Sequence, residues 1–184
     1  MFPWLDPSGR FSVFKLTVFV LLLVPGCFIL WPVIAEGGAT IPVKEAIPES
    51  GDWAIRMLLI SLLITLVQIR RQVGLAALGY ALTHLLLYTL SQSWDVLRVA
   101  NEILVRIYLT IGFVALTGLV ILGMTSTKSA MRKLGRNWTR LHKISYGIGV
   151  LAALHFFMQS KIDVSEATLM SGFFVALMLY RAAH

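Results

Sequence analysis

The stretch VGLAALGYALTHLLLYTL, residues Val73 to Leu90, contains no Asp, Glu, Lys or Arg, and its one readily ionisable side chain is His84. A helix needs about 20 apolar residues, with about 17 to 25 tolerated, to cross a hydrocarbon core of about 30 Å. The stretch therefore reads as a transmembrane helix. Outward from it, five more segments meet the same criterion, at about 13–34, 53–69, 107–125, 144–160 and 164–180. With 73–90 as the third span, they predict an all-α fold: an integral membrane six-helix bundle forming a single domain over residues 1–184. Arg56 and Glu166 fall near the ends of the second and sixth spans, where both can snorkel to the interface. Pro25 and Gly26 are expected to kink the first span, and Pro32 marks its approach to the surface.

Composition agrees. Of the 184 residues 58% are apolar and 14% charged, with a mean hydropathy of +0.80. A water-soluble domain averages about 45 to 50% apolar and about 25% charged, so this chain has too little polar surface to live in water. Once the spans are subtracted, no connection remains that could build a nucleotide-binding fold, so any reaction must use a bound prosthetic group or a partner. The net charge of +7 does not point to nucleic acid, because the basic residues lie between apolar spans without a soluble scaffold. Cys27 is the only cysteine, which excludes intrachain disulfides, thiolate-ligated clusters and covalent c-type haem attachment. Residues 1–10 lack the ordered features of a signal peptide, so the first span is expected to be retained.

The charges orient the bundle. With the N-terminus inside, the inner side collects Arg10, Lys15, Arg70, Arg71, Lys128, Arg132, Lys133, Arg136, Arg140, Lys143 and Arg181, eleven of the 16 basic residues, against one acid, Asp6. The outer side holds Lys44, Arg56, Arg98, Arg106 and Lys161 against Glu36, Glu45, Glu49, Asp52, Asp95, Glu102, Asp163 and Glu166. This positive-inside bias predicts that both termini are cytoplasmic.

An ionisable residue at membrane depth is costly unless paired, liganded or facing water. His84 in the third span and His155 in the fifth both pose that problem. Taken singly, each reads as a histidine bonded to a neighbouring helix. At about 1.5 Å rise per residue, His84 lies about 18 Å and His155 about 22 Å above the cytoplasmic face, so the two are level. Imidazoles at one depth on two helices can hold opposite faces of a flat macrocycle, the axial geometry of a six-coordinate b-type haem. Zinc fits less well, since two histidines leave its tetrahedral shell half empty. Gly74, Ala76, Ala77, Gly79 and Ala81 on one helix, with Gly147, Gly149, Ala152 and Ala153 on the other, would let a ring approach the backbones or simply let helices pack closely.

His142 lies near the cytoplasmic start of the fifth span, about 20 Å from His155 along the axis. On an ideal helix their side chains stand about 140° apart. No second histidine faces its level, where the third span offers Arg70, Arg71 and Gln72, of which Arg70 and Arg71 are cofactor-binding candidates. His142 is read as a ligand with a non-histidine or vacant opposite position, as a partner to a propionate or quinone, or as an interfacial residue. Arg56 and Arg106, at outer span ends, are candidates for pairing with haem propionates or for snorkelling to headgroups. Trp31, Trp53 and Trp94 read as aromatic-belt residues, and the terminal His184 as inert.

Leu134-Gly135-Arg136-Asn137-Trp138-Thr139-Arg140-Leu141-His142, then Tyr146 and His155, resembles the LGxxWxxLHxxxY signature of the MsrQ (YedZ) family within the ferric reductase-like transmembrane superfamily. The resemblance extends through Thr125-Ser126-Thr127, Arg106-Ile107-Tyr108-Leu109-Thr110 and Tyr80-Ala81-Leu82-Thr83-His84. It implies a haem-binding bacterial inner-membrane subunit that passes electrons from the quinone pool or a cytosolic flavin reductase to MsrP. That periplasmic molybdenum-cofactor enzyme would reduce protein methionine sulfoxide. By the resemblance His84 and His155 form the axial pair of one haem b, His142 is the family's additional histidine with a second haem as its extension, and FMN is an associated cofactor. Eukaryotic superfamily members carry two histidine pairs and a fused flavin and nicotinamide domain, whereas this chain has one evident pair and no such domain. Two other readings compete: a stand-alone metalloreductase or oxygen reductase, and a haem-free transporter using the histidines as a proton relay.

Overall fold

A computed structural model describes residues 10–64, 67–159 and 165–183. Among them nine helices run in the order α1 (Val13–Ala35), α2 (Thr40–Leu63), α3 (Val67–Ser91), α4 (Val96–Val105), α5 (Ile107–Met124), α6 (Lys128–Leu134), α7 (Arg136–His142), α8 (Ile144–Gln159) and α9 (Ser165–Ala183). Asp6, Lys161, Asp163 and His184 lie outside the described residues. Among the described residues four stretches are long and apolar enough to cross a membrane: Val13–Ala35, Ile69–Ser91, Ile107–Met124 and Arg136–Gln159. Their apolar residues face outward, with only 11 to 22% of each window buried inside the bundle, as expected where lipid covers the outer surface. Leu21, Phe28, Val114, Val150 and Phe157 are all exposed in this way.

The helix bounds depart from the sequence reading in four places. The expected second span at 53–69 is the second half of a longer helix that ends at Leu63, where Ile64 turns extended. The expected outer connection between residues 35 and 52 holds the first half of that helix. Its polar residues Lys44, Glu45 and Glu49 are exposed, whereas Val43, Ala46 and Ser50 are buried, an i, i+3, i+7 stripe that packs one face against the bundle. The third helix starts at Val67 rather than at 73. The connections on either side of α5 contain α4 on one end and α6 and α7 on the other.

Local chemistry sets these ends. Ser12 caps α1 by accepting from the Lys15 N–H at 3.4 Å, and Asp95 caps α4 by accepting from the Arg98 N–H at 2.9 Å. Gly37 and Gly38, with φ of 62° and 79°, make the left-handed turn between α1 and α2. Ser93 and Trp94 take φ of 56° and 62° between α3 and α4, where the Ser93 and Trp94 amides bond back to the carbonyls of Leu90 and Thr89. In α1, Pro25 removes one rung of the ladder, and the next is opened by a side chain. The Gly26 N–H donates to the Tyr80 hydroxyl at 2.8 Å, and that hydroxyl donates to the Leu22 carbonyl at 2.8 Å. The expected disturbance at Pro25 and Gly26 is thus a hydroxyl inserted into the helix.

α3 packs chiefly against α2, and α8 against α5, giving two closely packed helix pairs. The buried core runs between them through Leu58, Leu62, Ala77, Leu87, Ala115, Leu119 and Ile148. Ala77 is fully buried, so the small residue there serves helix packing.

Candidate cofactor site

Each helix pair contributes one histidine to a common gap. The His84 ring from α3 and the His155 ring from α8 stand 6.4 Å apart centre to centre, with their planes at 83°. His84 Nδ1 lies 2.8 Å from the Ile47 carbonyl of α2, and His155 Nδ1 lies 2.7 Å from the Tyr108 carbonyl of α5. A carbonyl only accepts, so Nδ1 carries the proton on both rings and Nε2 is left with its lone pair. A backbone carbonyl behind the ligating ring is the arrangement that fixes the tautomer and orientation of a metal-binding histidine. Ser50, fully buried, donates to the same Ile47 carbonyl at 2.8 Å and lies 3.5 Å from His84 Nδ1.

Around the two rings is a cavity of about 460 Å³. Leu58, Ala81, Ala115 and Ala152 are among the residues that line it, as are Tyr88, Tyr108 and Gln159. Such a volume falls within the range of about 300 to 1,000 Å³ usual for organic ligands, and the lining is mostly apolar. The donor set favours a metal that brings its own equatorial ligands. No group of three or more His, Cys, Asp or Glu among the described residues could hold a bare ion. Two imidazole–metal bonds of about 2 Å each, plus the distance from each nitrogen to its ring centre, come to about 6 Å, which matches the observed separation. An iron porphyrin fits the residues present.

Arg56 and Arg106, the candidates for propionates or headgroups, each make an aromatic contact. The Arg56 guanidinium lies over the Trp53 ring at 5.4 Å and is not part of the cavity wall. Trp53 in turn stacks on Tyr80 at 6.3 Å, so this tryptophan belongs to the packing between helices. Arg106 bonds the Tyr108 hydroxyl at 3.1 Å. It reaches the site through Tyr108, whose ring lies 6.4 Å from that of His155 at 26°. Hydrogen bonding to Tyr108, and then the nearby Glu102 carboxylate, hold the Arg106 guanidinium above its ordinary range. Of the small residues expected to admit a ring, Ala81 and Ala152 line the cavity. Gly79 and Gly147 have nothing within 4 Å of where a Cβ would stand, and Gly149 meets Phe174. The glycines against the imidazoles are Gly51 and Gly112, on the two partner helices. Sequence reading missed them because it searched only the helices that carry the histidines.

His142 belongs to a separate group at the opposite end of α8. Its ring stacks on Trp138 at 4.1 Å, and Nε2 lies 3.2 Å from Thr125 Oγ1. The Trp138 indole N–H donates to the Thr125 carbonyl at 3.0 Å. A single turn at Lys143, whose N–H donates to the Arg140 carbonyl at 3.2 Å, joins α7 to α8. Arg70 is close enough for its charge to act on His142; Arg71 is half-buried beside it in the chain.

A membrane bundle with opposed histidines around an apolar cavity defines the class, and residues 50–153 match the family described as ferric reductase like transmembrane component. The chain belongs to that family and, within it, to the MsrQ group. It is 40% identical over 166 residues to the protein-methionine-sulfoxide reductase heme-binding subunit MsrQ of Xanthomonas oryzae pv. oryzae (strain MAFF 311018), covering 83% of this chain and 76% of the relative. The MsrQ of Xanthomonas campestris pv. campestris (strain 8004) is 42% identical over 153 residues, 76% and 69% of the two chains. That of Brucella ovis (strain ATCC 25840 / 63/290 / NCTC 10512) is 38% identical over 152 residues, 77% and 69%. No solved structure matches the chain.

Proposed function

We propose that this protein is a transmembrane b-type cytochrome that delivers electrons to a partner reducing protein methionine sulfoxide. The relatives are named as heme-binding subunits of that reductase, and the observation that carries the reading here is the 6.4 Å separation of two imidazoles locked by carbonyls at Nδ1. Haem b, when bound, supplies a one-electron couple within the bilayer. His84 and His155 would hold it through their Nε2 atoms, with the Ile47 and Tyr108 carbonyls fixing the two rings, and the alanines and leucines of the cavity wall would give it an apolar setting.

In this reading six spans cross the bacterial inner membrane, α2 and α9 included, with both termini cytoplasmic and residues 1–184 acting as one domain. α9 packs against α8 and α2 against α1 and α3, which supports their place in the bundle. The basic residues near the start of α3 and along α6 and α7 support the inner assignment of that end. The histidine pair then lies toward the outer face, a short step from the periplasmic molybdenum enzyme MsrP. Electrons arrive from quinol or a flavin reductase at the inner end, with FMN as an associated cofactor of this protein. There His142, Arg70 and Arg71 supply a hydrogen-bonding and cationic surface for a quinone, a flavin or a second haem.

The test is re-oxidation of the reduced protein in proteoliposomes by purified MsrP. Oxidation that requires both MsrP and a sulfoxide-bearing protein supports the reading. Equal oxidation by ferric chelate alone would support a stand-alone metalloreductase instead.

A further inference from the structure

The acceptor carbonyls and the two glycines stand in one spacing. Ile47 accepts from His84, and Gly51 is four residues on in α2; Tyr108 accepts from His155, and Gly112 is four residues on in α5. In a helix the Cα–Cβ bond tilts toward the N-terminus, so the side chain at i+4 lies over the carbonyl of residue i. Any side chain there shields that carbonyl from a donor arriving sideways. Glycine leaves it open. A Cβ built on Gly112 would stand 2.7 Å from His155 Nδ1 and 2.8 Å from Cε1, and one on Gly51 would stand 3.1 Å from His84 Nδ1 and 3.2 Å from Cε1. These are ring atoms held by a hydrogen bond, not the free end of a flexible chain.

We propose that Gly51 and Gly112 are positioning residues: each forms a notch in the partner helix that lets the imidazole edge reach the carbonyl four residues back, and so sets the angle at which the ring meets the iron. The proposal rests on the haem reading above. The two helix pairs carry the same device without a sequence repeat, since Ile47-Pro48-Glu49-Ser50-Gly51 and Tyr108-Leu109-Thr110-Ile111-Gly112 share only the final glycine. The notches are unequal in depth. At Gly112 every nearest contact is 3.0 Å or less, so alanine must displace the ring; at Gly51 a shift of a few tenths of an ångström suffices.

Gly112→Ala, Gly51→Ala and two controls, Gly79→Ala and Gly147→Ala, separate this role from general packing, because the control positions have nothing within 4 Å. Each full-length variant is purified from haem-replete cells, and its haem content, spin state and midpoint potential are read. Alanine is the better helix former, so a purely local backbone effect would leave all four at least as stable. Gly112→Ala is expected to lose the six-coordinate low-spin signature. Gly51→Ala should keep haem with a shifted potential, and the controls should match the parent protein. A Gly112→Ala protein with the parental spectrum and potential overturns the proposal, as do controls that lose haem equally. If Gly112→Ala fails to accumulate, Gly51→Ala decides: a shifted potential supports the notch and an unshifted one refutes it. A parent protein without haem would instead overturn the underlying cytochrome reading.

Discussion

Tyr108 holds His155 in two ways at once: its carbonyl takes the Nδ1 proton at 2.7 Å while its ring lies against the imidazole at 6.4 Å. The carbonyl survives any substitution, but the ring does not. Tyr108→Phe keeps both contacts and loses only the bond to Arg106, so its low-spin signal should match that of the parent. Tyr108→Ala removes the aromatic wall and should broaden the electron paramagnetic resonance signal as His155 samples more orientations. An unchanged signal in the alanine variant would remove Tyr108's ring from the account.

Tyr80→Phe tests the hydroxyl inserted into α1. The hydroxyl satisfies both the Gly26 N–H and the Leu22 carbonyl, and its loss leaves two backbone groups unpaired in an apolar setting. The expected destabilisation is about 1 to 3 kcal/mol, read as a lower unfolding midpoint in detergent titration. A neutral result would mean that the helix closes its own ladder when the hydroxyl is gone.

Much of the site was legible in the sequence. Two histidines could be placed at one depth because helical rise is constant and the span ends are marked by charge; no partner information was needed. The acceptor carbonyls were not legible, since a backbone oxygen has no sequence signature and Ile47 lay in a segment read as a connection. The polar letters Lys44, Glu45 and Glu49 hid a helix whose inner stripe is Val43, Ala46 and Ser50. α4 was hidden for a similar reason, as ten residues are too few to register as a span.

α4 should loosen in acid. The Tyr88 hydroxyl donates to the Glu102 carboxylate, Arg98 lies 3.6 Å from it, and Arg106 adds a further positive charge. These hold the carboxyl below its ordinary value of 4.5, with the Tyr88 bond the largest cause. A depressed value means that the contact stabilises above that ordinary value and is lost as pH falls through the folded one. The protection of residues 96–105 against hydrogen exchange, taken relative to the intrinsic rate at each pH, should therefore fall below about pH 4.5, and Glu102→Gln should flatten the response. Equal acid sensitivity in that variant would assign the effect elsewhere.

Gly149→Ala is expected to weaken the docking of α9. A Cβ there would stand 2.1 Å from Phe174 Cζ, and Phe174 is buried. Overpacking of this kind costs about 1 to 3 kcal/mol, more than the gain in helix propensity of about 1 kcal/mol. Faster proteolysis between α8 and α9 with haem retained would match this expectation.

The most direct measurement is the spin state and haem content of the purified protein alongside His84→Ala and His155→Ala. The parent should carry low-spin haem with two imidazole ligands, and each variant should lose it. A six-coordinate spectrum that persists unchanged in both variants would contradict the assignment of His84 and His155 as the axial pair.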